Sequence, residues 1–474
     1  MRAIVAGLAF AVLSAVGPEL GAQQTQCTLV QQPTTRLTVD STAEGQVAFV
    51  GGGVLIRCPA RGITLRGDSA EEHPDRDVMI GSAVYDEPRL HVTADFLNYF
   101  PSDERVVASG HVHGRLTSGS TLDGPQAEWL RVTPSRPRQQ MRAIGRPTIT
   151  IVEQDSAGRP APPTTVIANN VFMDGDSLIY GGGQVVITRP NIGATADSAF
   201  IDEAHETMRL LRNPTVTGTQ GRPYKLTGDI IDLFSHNRKL QRVLSRSNAT
   251  ALSDSMTLSA DTIDLRVRNE ALDHAYAWGP SRAHAVSPTQ TLVADSLDVD
   301  MPGQKVERVL AIRNAFAQGK PDTTHFKLEA PDTTDWLKGD TITAHFDTLA
   351  RDTTARAPKD TSNAPAIRQL VASGHASALY HMTPSDTTIH RPAINHVTAR
   401  IITIDFQNRQ VTTVSTVDSV FGIFLEPRAD STARRAKAQP QKPGTATPSP
   451  RPVTPKRPPA GETPTSPSTR EERR

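Results

Sequence analysis

A small residue followed by an acidic one recurs along this chain inside apolar stretches: Ala94-Asp95, Ala127-Glu128, Gly175-Asp176, Ala196-Asp197, Gly228-Asp229, Ala260-Asp261, Ala294-Asp295 and Gly339-Asp340. The acidic residues at 95 and 128 are 33 apart, and those at 197, 229, 261 and 295 follow at 32, 32 and 34. A period of this length restricts the fold to architectures in which one supersecondary unit stacks on the next, because a single unit cannot bury its own apolar face. The irregular intervals coincide with visible insertions: a Pro-rich stretch at about 133–164, and Asp-Thr-Thr segments at 322–324, 332–334 and 352–354. Ala399-Arg400 reads as a last, degenerate copy.

Beyond the acidic residue the sequence alternates with period two. Its second and fourth followers are Leu97 and Tyr99, Leu130 and Val132, Leu178 and Tyr180, Ala199 and Ile201, Ile231 and Leu233, Ile263 and Leu265, Leu297 and Val299, Ile342 and Ala344, then Ile402 and Ile404. Residues two apart share a face of a strand, so each copy predicts a half-buried β-strand with an apolar pair on its inner side. Polar turns such as Asn237-Arg238-Lys239 and Arg268-Asn269-Glu270 follow, and then a second β-like run, as in Arg105 to Gly114 or Ile367 to Tyr380. Small-residue pairs inside those runs, Ser109-Gly110 and Ser373-Gly374 among them, predict a bulge or corner. No long segment outside the N-terminal run carries a 3.6-residue apolar period. The chain is therefore expected to be all-β, a stack of antiparallel strand repeats.

The stretch Val92-Thr93-Ala94-Asp95-Phe96-Leu97-Asn98-Tyr99, followed by Val106-Val107-Ala108-Ser109-Gly110-His111-Val112, resembles the repeat of the OstA-like, or LptA-like, family of periplasmic proteins. The segments 257–286 and 291–319 are similar, and Val371-Ala372-Ser373-Gly374-His375-Ala376 repeats the second half, so the resemblance covers roughly 60–425. It implies an elongated, open β-jellyroll whose apolar interior carries the acyl chains of lipopolysaccharide or a related glycolipid. It also implies partners among other envelope lipid-transport proteins, joined through strand edges, and a head-to-tail oligomer. On this reading the apolar pairs line a lipid groove. The chain departs from the family's outer-membrane translocon, since a Pro-rich segment stands where barrel strands would follow, and it exceeds one jellyroll. That length implies either one long fused stack or two jellyrolls in series, with regions at 23–190 and 191–428.

Residues 1–22 read as a cleaved signal peptide: Arg2, an apolar run from Ala3 to Val16, Pro18, and the small pair Gly21-Ala22. The expected address is periplasmic, with outer-membrane association as a further option. Cys27 and Cys58 are the only cysteines, and an oxidising compartment permits a disulfide between them; two free thiols are the other outcome. The formal net charge of +1 conceals two unlike regions. From Arg434 to Arg474 ten Lys/Arg face three Asp/Glu, leaving about −6 on the body. Nothing in that balance favours nucleic acid as a partner. Residues 429–474, with ten prolines between Pro440 and Pro467, predict a disordered basic tail that reads as a solvated linker, with contact to anionic envelope polymers or lipid phosphates as the other reading.

No catalytic constellation, metal site or cofactor motif emerges. One acidic residue per repeat reads as a turn or strand-edge determinant rather than a calcium roll or a glycosidase pair. His111 and His113 lie two apart, but His111 holds the slot after Gly110 that His375 holds after Gly374, which marks a repeat position. Gly51-Gly52-Gly53 and Gly181-Gly182-Gly183 lack the Lys-Ser/Thr of a phosphate loop and read as turns or bulges. The expectation is a non-enzymatic lipid-binding or bridging protein of lipopolysaccharide transport and outer-membrane assembly. The competing reading is a secreted β-solenoid acting as scaffold, adhesin or polysaccharide-active protein.

Overall fold

The computed structural model describes residues 27–427 except 44, 153, 155–156, 160, 220, 254–255, 322, 324–325, 329–333, 348–365, 384–388, 390 and 408–409. The expected signal peptide and basic tail lie outside the described residues. Among the described residues twenty-eight strands, from Thr28–Leu29 to Phe421–Leu425, form one sheet and pair antiparallel. Neighbours in sequence are neighbours in space, as the alternating patterns and short polar turns require. Asn237-Arg238 and Asn269-Glu270 close two of the hairpins with both residues at positive φ, the backbone that matches the twist of a tight hairpin. Among the described residues no helix is long and apolar enough to cross a membrane.

Each long strand is bent near its middle. The register slips between Arg66 and Ser69, Ile80 and Ala83, Thr93 and Phe96, and Ser109 and Val112 in four successive pairings. It slips again between Ile312 and Ala315, Lys338 and Thr341, and Ser373 and Ala376. The cause is local. Alternate strands carry two consecutive left-handed residues at the bend: Gly81-Ser82 (φ 72° and 44°), Gly110-His111 (73° and 39°), Ser247-Asn248 (60° and 57°) and Gly374-His375 (74° and 48°). The extra residue makes a bulge, and the bulge folds the strand.

The repeated aspartate sits opposite that left-handed pair and holds it. Asp95 meets His111 Nδ1 at 2.8 Å, and Asp340 meets His375 Nδ1 at 3.0 Å. Asp229 and Asp295 each accept from an asparagine amide, Asn248 and Asn314, at 3.2 Å. The turn-determinant reading of the acid therefore describes a corner. Its phase explains the apolar pairs too: Ala94, Leu97 and Tyr99, or Ala260, Ile263 and Leu265, are the buried residues on either side of the corner.

Two copies of the repeat are displaced from the sequence reading. Asp176 stands in a hairpin turn, and Glu128 lies beyond its corner, in the strand Thr121–Leu130. The corner positions of those two copies are Pro125, whose ring covers Gly145, and Asn169, whose side chain covers Gly183. Asp68, over Gly81 and hydrogen-bonded to Ser82, is an earlier copy that the spacing did not reveal.

The corners fold the sheet into two facing layers whose inner sides make one apolar core from Val50 to Ile404. The first layer ends in the turns at 88–89 and 117–120; the second ends in those at 101–104, 175–177 and 237–238. The free ends of the layers meet where Arg131 of the second pairs with Glu87 of the first at 2.7 Å, and where Arg89 pairs with Asp176 at 2.9 Å. The expected division at 190/191 falls inside a hairpin: Arg189 pairs with Ile192, so the two regions are halves of a continuous sheet. The expected insertion at 133–164 is smaller than its composition suggests. It contains the strands Gln140–Ile144 and Thr148–Ile151, which complete one bent rung on Thr121–Leu130. Cys27 and Cys58 are joined by a disulfide that ties the first short strand to Gly45–Cys58.

Candidate functional site

The ladder residues are placed by the corners. Leu97, Tyr99, Ile201, Ile231, Leu233, Ile263, Leu265, Leu297, Val299, Ile342, Ile402 and Ile404 are all buried in the core. Leu130 and Leu178 are half-buried. Val132 and Tyr180 are not inner residues: they are 59% and 41% exposed. Both stand four residues after the displaced acids Glu128 and Asp176. Counting from Pro125 and Asn169 instead reaches Ala127 and Trp129, then Val171 and Met173, of which the first three are buried and Met173 packs against the core. Tyr180 belongs to an outward aromatic row with Phe172 and Phe200, at ring-centroid distances of 5.8 and 4.9 Å.

Between the layers, at the rungs of those two displaced copies, lies a cavity of about 380 Å³. Leu90, Leu116, Leu122, Trp129, Met141, Ile149, Ile151, Met173 and Ile179 form its walls. Arg89, Ser118, Ser120, Gln139, Asp176, Glu203 and Arg238 stand at its polar edge. None of these wall residues stands second or fourth after a repeat acid: Met141, Ile149 and Ile151 sit on the short strands of the proline-bearing stretch, Trp129 and Met173 follow the irregular corners, and Leu90 and Leu116 pair at a hairpin end. The signal that would have found them is the phase of the buried positions about Pro125 and Asn169. An apolar interior with a polar, charged rim suits a ligand with an apolar body and a polar head.

On the side of the first strands the mouth is closed by a lattice of charged groups. Arg131 pairs with Glu87 and Glu104, each at 2.7 Å, and Arg61 pairs with Glu104 at 2.9 Å. Arg61 also donates to the Tyr99 hydroxyl at 2.8 Å, while the Tyr85 hydroxyl donates to Glu87 at 2.9 Å. Burial pushes the Tyr85 hydroxyl pKa up, and the neighbouring Glu87 charge adds to it. Burial works against the Arg131 charge, but Tyr85, Glu87 and Glu104 outweigh it and hold its pKa above the ordinary value.

Other polar clusters are internally paired. His111 and His113 face different carboxylates, Asp95 at 2.8 Å and Asp123 at 2.7 Å, and share no ligand position. Among the described residues His274, Asp298 and Asp300 could gather a cation, but Arg308 Nε already donates to Asp300 at 2.8 Å. Of the glycine triplets, Gly52 and Gly53 (φ 81° and 90°) and Gly183 (φ 75°) take the left-handed conformation of bends. No protein-family model matches the chain, and no curated protein matches it.

Proposed function

We propose that this protein is a non-enzymatic lipid-binding protein of the bacterial envelope. It takes acyl chains of lipopolysaccharide or a related glycolipid between its two layers, in the periplasm or at the outer membrane. The observation that carries this reading is the apolar cavity walled by Trp129, Met141, Ile149 and Met173. At about 380 Å³ it lies toward the small end of ligand pockets, roughly 300–1,000 Å³, so it takes apolar tails and leaves a headgroup at the charged rim. Removing apolar surface from water supplies the driving force, at about 25 cal/mol per Å².

The two ends of the sheet support partner docking. At one end Leu37 and Val39 of Arg36–Thr42 are more than half exposed, and at the other Phe421, Phe424 and Leu425 are 61%, 54% and 58% exposed. Edge strands bearing apolar side chains are templates for strand addition. They fit other envelope lipid-transport proteins or a second copy of this chain. The parallel-coil solenoid is not the architecture, because the strands pair antiparallel.

The test is a photo-crosslinking amino acid placed in cells at Met173, inside the cavity, and at Tyr180, outside it. Glycolipid adducts are expected at 173 and not at 180. Equal labelling at both positions, or none at 173, would overturn the reading.

A further inference from the structure

Two of the contacts that join the free ends of the layers, those flanking the cavity, differ in kind; a third, from the Arg222 N–H to Gln304 Oε1 at 2.5 Å, lies farther along the stack. In the lattice around Arg131 and Glu104 the ion-paired side chains are only 7% to 23% exposed, and it binds Arg61, Tyr85 and Glu87 of the first layer to Tyr99, Glu104 and Arg131 of the second. Each carboxylate there serves more than one donor, so opening it strands buried charge. Beneath it the interior is filled, with Leu65, Met79, Tyr85 and Tyr99 fully buried. By contrast Arg89 and Asp176 make a single ion pair across the mouth with side chains 65% and 70% exposed. Both residues border the cavity, and both sit on hairpin turns. An exposed pair of that kind is weak and readily broken. On the side of the later strands the interior is again filled, by Leu210, Leu226 and Ile231 at 0% exposure.

We infer that an apolar ligand enters and leaves this cavity sideways, between the turn at 88–89 and the turn at 175–177, with Arg89 and Asp176 as the latch. The site is then a one-mouthed holding pocket and not a through-channel along the stack, because packed side chains close it in both directions along the sheet. The inference rests on the lipid-binding reading and adds the route. It also assigns Arg89, released when the latch opens, to meet the anionic head of a ligand whose tail is inside.

The experiment uses the full chain with Arg89→Cys and Asp176→Cys, bridged by a short bis-maleimide. Cys27 and Cys58 are bonded to each other, so the introduced thiols alone react. The probe is cis-parinaric acid, a polyene fatty acid whose fluorescence rises in apolar surroundings. Bridging should slow uptake about tenfold or more relative to the same protein unbridged, as a tethered lid would. Arg89→Gln, which leaves the turn intact, should speed uptake about two- to fivefold, the range of an exposed ion pair. Met173→Trp, which fills the cavity, should lower the amplitude. If Met173→Trp lowers the amplitude while bridging leaves the rate unchanged, the lateral route is wrong and the binding reading stands. If the wild type takes up no probe, or Met173→Trp binds it fully, the binding reading itself fails.

Discussion

Arg400 and Asp418 form the last corner of the sheet with its charges reversed. In the earlier corners an aspartate on one strand holds a left-handed pair on the next, as Asp340 holds Gly374-His375. Here Arg400 stands in the acid's place, and Asp418 supplies the left-handed backbone at φ 56°, with the side chains 2.6 Å apart and a backbone bond of 2.9 Å beneath them. The copy that looked degenerate is a corner with the same geometry and opposite polarity.

Arg400→Asp should therefore weaken this corner by setting two carboxylates against each other, and Asp418→Arg should weaken it by pairing two cations. Both residues are more than half exposed, so the expected loss is about 0.5–1 kcal/mol each. The double exchange should recover most of it. A double-mutant cycle read by amide exchange in Ala393–Gln407 checks this; simple additivity of the two losses would mean that the pair does not interact.

Gly374 occupies a corner where φ is 74° and an added Cβ would run into the Asp340 carboxylate. Gly303 has a φ of 58° and no neighbour within 4 Å of its missing Cβ. Gly374→Ala should cost about 2–3 kcal/mol, combining backbone strain with the collision. At Gly303→Ala only the left-handed backbone opposes the methyl, at roughly 1–2 kcal/mol. Urea denaturation of the two variants gives the comparison, and equal losses would show that the Asp340 contact is slack.

Arg131→Met should be among the most damaging single changes. It strands Glu87, whose side chain is 7% exposed, and deprives Glu104 of one of its two arginines. A loss of about 3–5 kcal/mol is expected for breaking a buried ion pair from one side. Adding Glu87→Gln should return part of it, because the stranded charge is then removed. Thermal unfolding of the single and double variants measures both effects.

Asp77 gives the chain an acid-side pH dependence. Burial raises its carboxyl pKa from 3.8 to about 6, the Glu72 charge adds to this, and His73 opposes it. The folded chain therefore holds this proton more tightly than the unfolded chain. The group's contribution is most favourable below about pH 4, declines as pH rises to about 6, and is level above that. Asp77→Asn should flatten this slope and exceed the wild type by on the order of 2–3 kcal/mol at neutral pH. Unfolding free energies measured between pH 4 and 7 test it, and parallel curves for the two proteins would contradict it.

Much of the fold was legible because it is local. The +2 and +4 positions after Asp95, Asp261 and Asp295 read as inner residues from alternation alone, and Leu97, Ile263 and Leu297 are each at 0% exposure. The reading failed where a corner used a different residue. Pro125 takes the slot by covering Gly145 with its ring and Asn169 by covering Gly183 with its amide, and neither looks like an aspartate in a string of letters. Val132 and Tyr180 were misplaced for that reason, and the cavity beside Trp129 and Met173 was hidden with them.

A repeated strand unit, its inward face, its corner acid and hence an all-β stack are written in the letters, since each depends on residues a few positions apart. How the layers close rests on contacts between residues distant in the chain. Arg89 and Asp176 are 87 residues apart, and neither they nor Arg131 and Glu87 belong to the repeat's period. Which turn faces which across the mouth depends on the accumulated bend of every intervening corner. That sum has no signature in any local window of sequence.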